Sequence, residues 1–152
     1  MNKVSLLLLA FLISSCSKKT TKTTHIATPQ TGIEWTFKKV TYTGDSATYL
    51  NGAYQSFDTA SALQNPNEIL VFFTTPDIAS GVYPVISVLQ KIASTNCQVG
   101  MLMNGIAYNC TGSSGSVTVI NGGNISSITF SNVEMLTAGS DSAMLNGNIV
   151  TQ

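Results

Sequence analysis

Apolar and polar residues alternate with a period of two along most of this chain. Ile33, Trp35 and Phe37 are apolar with polar or charged residues between them, as on a strand with one face in a core. After Lys38-Lys39 the pattern moves by one, to Val40 and Tyr42, which predicts a bulge or bend. Gly44-Asp45-Ser46 and Asn51-Gly52 read as turns. Asn65-Pro66-Asn67 reads as a loop. The run Glu68 to Phe73 (EILVFF) is continuously apolar after its first residue and of strand length, the expected central strand. Pro84 places Val82 to Ile86 at a sheet edge, because proline cannot donate to a ladder. The stretch Val85 to Ala93 is also compatible with a short helix.

Asn104-Gly105 is a strong hairpin turn. With those two residues as the loop, Met103 faces Ile106 and Val99 faces Cys110. Val117-Thr118-Val119 and Ile128-Thr129-Phe130 alternate on either side of Asn121-Gly122-Gly123, a second hairpin. Val133 and Met135 continue in a shifted register after Asn132. Gly139 to Ser142 turns, and Met144 to Val150 closes the chain, interrupted by Asn146-Gly147. About eight to ten short strands, frequent Asn-Gly turns and almost no helical period predict an all-β domain over residues 32–152. Its architecture is expected to be an antiparallel β-sandwich or a sandwich-like barrel.

The beginning of the chain has another texture. Lys3 is followed by the apolar block 4–13 and then by Ser14-Ser15-Cys16. A positive start, a short apolar run and small residues before a cut site predict a signal peptide over residues 1–15. The block is too short to span a bilayer, which needs about 20 residues. Residues 17–31, SKKTTKTTHIATPQT, lack the apolar content to fold and read as a polar tether. His25, the only histidine, lies in that tether and reads as solvated.

Charge narrows the partners. Charged residues make up 9% of the chain, and there is no arginine. From Gly32 onward Lys38, Lys39 and Lys91 stand against all seven acids, a formal −4. Nucleic-acid binding rests on neutralised phosphates, so no nucleic-acid partner is expected. Cys97 and Cys110 are an even pair in a chain that reads as exported, which predicts a disulfide. Their expected register is a diagonal across the hairpin, at the edge of what a disulfide tolerates, so two buried free thiols are the alternative.

Catalytic constellations are sparse. With no histidine after His25, neither a Ser-His-Asp nor a Cys-His arrangement can be built in the domain. No Cys/His metal spacing and no phosphate-cradling loop occurs, so no metal, cofactor or catalytic residue is expected. A carboxylate pair drawn from Glu34, Glu68, Asp77 and Glu134 exists only on paper. Tyr42, Tyr49, Tyr54 and Phe57 beside polar turns are candidates for stacking on a glycan. The competing reading places these aromatics in the core, and a shared exposed face would decide between them. Edge strands suit a structural or assembly role by strand addition.

Ile13-Ser14-Ser15-Cys16 resembles the bacterial lipobox. The resemblance implies a diacylglycerol on the Cys16 sulfur, cleavage before it and acylation of the new amino group. Cys16 would then be the first residue of a lipoprotein held on a membrane. The rest of the chain is similar to the small all-β lipoproteins of Bacteroidota. The likeness lies in Trp35, Ser80-Gly81-Val82-Tyr83, Gly115-Ser116-Val117-Thr118-Val119 and Ile128-Thr129-Phe130-Ser131-Asn132-Val133. It implies a sandwich-like fold and no particular activity. Lipocalins are a second comparison, but they carry Gly-x-Trp in the first strand, and Gly32-Ile33-Glu34-Trp35 has one residue more.

The same group O-glycosylates Ser or Thr after Asp and before a small residue. By that resemblance Ser46, Thr59 and Ser142 are the candidate acceptors. Surface-exported lipoproteins of the group carry acids after the lipidated cysteine, whereas Ser17-Lys18-Lys19 is basic, which implies an outer-membrane anchor facing the periplasm. The expected protein is a lipid-anchored envelope lipoprotein with a non-catalytic β-domain that binds a glycan or another envelope component. A structural or assembly subunit is the alternative, and a lipocalin-like carrier a more distant one.

Overall fold

The computed structural model describes residues 32–44, 46–50, 52–58, 67–122 and 126–151. Residues 1–31, where a signal peptide, a lipidated Cys16 and a tether are expected, and Thr59 lie outside the described residues. Eleven strands and no helix occupy the described part. They are β1 (Glu34–Phe37), β2 (Val40–Thr43), β3 (Ser46–Leu50), β4 (Ala53–Asp58), β5 (Asn67–Phe72), β6 (Gly81–Pro84), β7 (Gln98–Met103), β8 (Ile106–Cys110), β9 (Ser116–Asn121), β10 (Ser126–Leu136) and β11 (Ser142–Thr151). All strand pairs are antiparallel, in the order β2-β1-β11-β10-β8-β7-β5-β4-β3, with β9 and β6 branching from β10. The sheet curls into a half-barrel, the all-β sandwich-like architecture expected from the alternation.

The fork in the sheet comes from β10. Its first half pairs with β9, and its last residues pair with β8. Between them the register slips at Phe130/Val133, with Asn132 in the left-handed region at φ 51°. That bulge is the one-residue shift legible at Asn132. The two ends of the strand order, β2 and β3, are consecutive in the chain and meet at Gly44, whose N–H donates to the Ile33 carbonyl at 2.9 Å.

Alternation fills the inside of the curl. Trp35, Phe37, Ile69, Val71, Val99, Val117, Val119, Ile128, Phe130, Val133, Met135, Leu145 and Ile149 are buried in one core. Burying each such side chain contributes about 1.5–3 kcal/mol. Trp35 Nε1 has no partner among the described residues, so the ring is held by packing. Gly147 makes this possible: at φ +154° a Cβ there would lie 2.5 Å from both Trp35 Cα and the Glu34 carbonyl oxygen. Strand β11 therefore runs straight through Asn146-Gly147, and the expected interruption is instead the place where two backbones approach closely.

Three further expectations resolve differently. Lys38-Lys39 is a tight two-residue hairpin, with Phe37 paired to Val40 and both lysines left-handed at φ 50° and 64°. Such turns favour Asn-Gly, so lysines hid it as a bulge. Residues 85–93 hold no helix; Ser87 to Gln90 form a turn closed by Gln90 N–H on the Ser87 carbonyl at 2.9 Å. The strand count is eleven because the expected first strand is a hairpin of two. The Asn104-Gly105 hairpin has the expected register, Met103 against Ile106; among the described strands β6 pairs with β9 alone, and the Pro84 carbonyl also accepts from Cys97 N–H at 3.1 Å.

Candidate functional site

The outward side of β4, β5, β7 and β8 is apolar where a solvated sheet face would alternate to polar. Three lateral rows cross it. Phe57, Glu68, Leu102 and Ala107 are successive cross-strand partners in one row. Gln55, Leu70, Gly100, Asn109 and Leu136 make the next, across five strands. Ala53, Phe72 and Gln98 make the third. Phe57, Leu70 and Leu102 are half-buried, and Phe72 keeps 39% of its surface exposed. Gly100 supplies no side chain at the centre; a Cβ there would lie 3.8 Å from the Phe72 ring. The result is a shallow apolar floor with aromatic groups at its margin.

Polar groups frame the floor. Gln55 donates its amide to the Glu68 carboxylate. Gln98 donates to the Ser87 carbonyl at 2.8 Å and the Gln90 carbonyl at 2.7 Å, and so clamps the 87–90 turn against the sheet. No lysine belongs to the three rows.

The aromatic candidates divide between the two sides of the sheet. Tyr54 is 3% exposed, on the inner face, with its ring edge-on to Phe73 at 6.1 Å. Burial raises its hydroxyl pKa. Tyr42 stacks on Trp35 at 6.0 Å and packs on the core. Phe57 alone of the described three lies on the outward floor. Tyr49 is in β3 opposite Tyr54, and its side chain lies outside the described residues. Leu70, Phe72, Gly100 and Leu102 were not singled out from sequence. The signal for Leu70 and Phe72 was the run ILVFF, and for Leu102 the run Met101-Leu102-Met103, since a strand apolar at successive positions has apolar side chains on both faces.

Of the acceptor candidates, Ser46 and Ser142 are exposed at the first positions of β3 and β11. Asp141, before Ser142, has a structural use: its carboxylate takes hydrogen bonds from Lys38 and from Tyr108 Oη, the latter at 3.1 Å. Lys38 lowers its pKa most, then Tyr108.

Cys97 and Cys110 are free thiols in the structure, both buried, rather than the expected disulfide. The diagonal register leaves each sulfur to a separate backbone partner. Cys110 Sγ donates to the Ile86 carbonyl at 2.9 Å and accepts from Val99 N–H at 3.2 Å. Cys97 Sγ faces the Tyr83 carbonyl at 3.8 Å. Burial, then the neighbouring Cys110, pushes the Cys97 thiol up to about 12.

Among the described residues no three His, Cys, Asp or Glu side chains gather as a metal site would need. Glu68 and Glu134 lie on β5 and β10, three strand spacings apart, or roughly 15 Å. A glycosidase pair stands at about 5–9.5 Å. Glu134 is engaged by Thr111 Oγ1 at 2.8 Å and by Ser113. No family model matches this chain, and no curated protein or solved structure matches it.

Proposed function

We propose that this protein is a non-catalytic binding module of the bacterial cell envelope that captures a glycan on the outward floor of β4, β5 and β7. The observation that carries the reading is the set Phe57, Leu70, Phe72 and Leu102 around Gly100, half-open to solvent and edged by Gln55, Glu68 and Gln98. Aromatic faces stack on sugar rings, and neighbouring amides and carboxylates hydrogen-bond their hydroxyls. With no lysine in these rows, the face suits an uncharged glycan rather than a polyanion. The lipid on Cys16 holds the domain on the outer membrane facing the periplasm, and Ser46, Thr59 and Ser142 are candidate glycan acceptors, Ser46 as the cross-strand partner of Phe57 at the floor's margin. These assignments rest on the resemblances of the signal segment and the short Asp-Ser and Asp-Thr motifs.

Affinity electrophoresis of the protein through soluble neutral and acidic polysaccharides tests the reading. Retardation by a neutral polysaccharide, weakened about tenfold by Phe72→Ala, is expected, since one stacked ring contributes about 0.5–1.5 kcal/mol beyond its buried area. No retardation across the panel, or retardation indifferent to Phe72→Ala, would contradict it.

A further inference from the structure

A knob and a groove lie side by side next to the glycan floor. The knob is Leu89, 92% exposed at the tip of the Ser87–Gln90 turn, with Val88 at 41% beside it. The turn is held stiffly. Ser87 N–H donates to Gln90 Oε1 at 3.2 Å, Leu89 N–H to Ser87 Oγ at 3.3 Å, and Gln98 clamps two of its carbonyls. The groove, of about 360 Å³, runs between this turn and the end of β10, over Asn109 to Thr111 and against Leu136, Thr137 and Ala138. Val88 and Leu89 themselves form its near wall. Charge is divided in the same way: Lys91 stands beside the knob, and Glu134 is held beside the groove by Thr111, a groove residue.

We infer that this surface binds a second copy of the chain about a two-fold axis, each Leu89 entering the other copy's groove and each Lys91 facing the other copy's Glu134. A two-fold interface must be self-complementary, and an apolar knob beside an apolar groove, with opposite charges beside each, meets that demand. A different partner would need only one half of the arrangement. The stiff turn lowers the entropy lost on docking. The turn, the end of β8 and the end of β10 form a small patch beside the about 800 Å² per partner of a permanent dimer, so the association is weak and concentration-dependent. Gln98 serves both surfaces, but the inference stands apart from the glycan reading because neither Phe57 nor Phe72 enters it.

The test uses the full chain in bacterial membranes, with a photo-crosslinking residue in place of Val88 and, as a control, of Thr48 on β3. Illumination should give a product of twice the chain's mass from position 88 only, linked to residues 109–111 or 136–138 of the second copy. Leu89→Asp, a change at an open position, should lower that yield at least tenfold, since the loss is felt twice in a symmetric pair. Lys91→Glu should lower it, and Lys91→Glu with Glu134→Lys should restore it. A product containing another protein or a lipid, no product, or a yield indifferent to Leu89→Asp would overturn the inference.

Discussion

Tyr108 and Asp141 tie the inside of the curled sheet to its rim. The Tyr108 ring lies in the core, edge-on to Phe37 at 4.8 Å, while its hydroxyl donates to Asp141 Oδ2 at 3.1 Å. Lys38 completes the triangle, donating to Tyr108 Oη at 3.0 Å and to Asp141. The β1–β2 turn, β8 and the β10–β11 turn thus share one cluster. Tyr108→Phe keeps the ring and loses the hydrogen bonds, and should lower stability by about 1 kcal/mol in a denaturant titration.

The pH dependence follows from Asp141, whose carboxyl is held below its ordinary value by Lys38 first and Tyr108 second. A depressed carboxyl pKa stabilises the fold fully above the ordinary aspartate value and loses that contribution as pH falls through the depressed one. Melting temperature should therefore drop on the acid side, and Asp141→Asn should flatten that drop. An unchanged acid limb in the variant would show that other carboxylates set it.

Gly147 stands where β1 crosses β11 most closely. A Cβ there meets backbone on both sides, at 2.5 Å from the Glu34 oxygen and Trp35 Cα, and φ is +154°. Neither contact is with a flexible chain end that could move aside. Gly147→Ala should cost about 3 kcal/mol or more, with Trp35 fluorescence reporting the loosened core. By contrast Gly139→Ala, whose nearest contact is the Thr137 hydroxyl at 3.7 Å, should change stability little.

The cysteines predict a reactivity. In the reduced, folded protein the Cys97 thiol stands at about 12, pushed there by burial and then by Cys110. Against an ordinary thiol this lowers the thiolate fraction at pH 8 by about a thousandfold. Iodoacetamide should label Cys97 only after denaturation, as peptide mapping would show. A raised thiol pKa stabilises the fold below the ordinary thiol value, and the contribution fades as pH climbs toward 12. Rapid labelling of the folded protein would contradict the buried placement.

Membrane attachment is read from Cys16 alone. Two or three acyl chains hold a protein stably on a bilayer where one does not. Cys16→Ser should leave the chain unprocessed or release it to the soluble fraction. Equal membrane recovery and processing of the variant would remove the anchor and leave the β-domain as a freely exported one.

Much of the fold was legible because an antiparallel sheet with one buried face writes its period into the chain. The Asn104-Gly105 hairpin and the Asn132 bulge carried their turn chemistry openly. Lys38-Lys39 did not, since two lysines adopt there the left-handed conformation that normally marks glycine or asparagine. Asn146-Gly147 misled in the opposite sense: glycine is needed for a close approach of backbones, not for a turn. The outward floor stayed hidden for a different reason. Lateral neighbours in a sheet are distant in sequence, and only the register brings Leu70 beside Gly100 and Phe57 beside Glu68. Tyr54 and Phe57 looked like one aromatic cluster, but their odd spacing puts them on opposite faces.

The central claim is that the outward floor of β4, β5 and β7 is the binding surface. The most direct measurement is a residue-resolved amide chemical-shift titration of the protein with the neutral polysaccharide that retards it most in electrophoresis. Saturable shifts confined to Gln55, Phe57, Glu68, Leu70, Phe72, Gln98, Gly100 and Leu102 are expected, with Phe72→Ala raising the half-saturating concentration about tenfold. Shifts centred elsewhere, or no shifts at saturating polysaccharide, would contradict it.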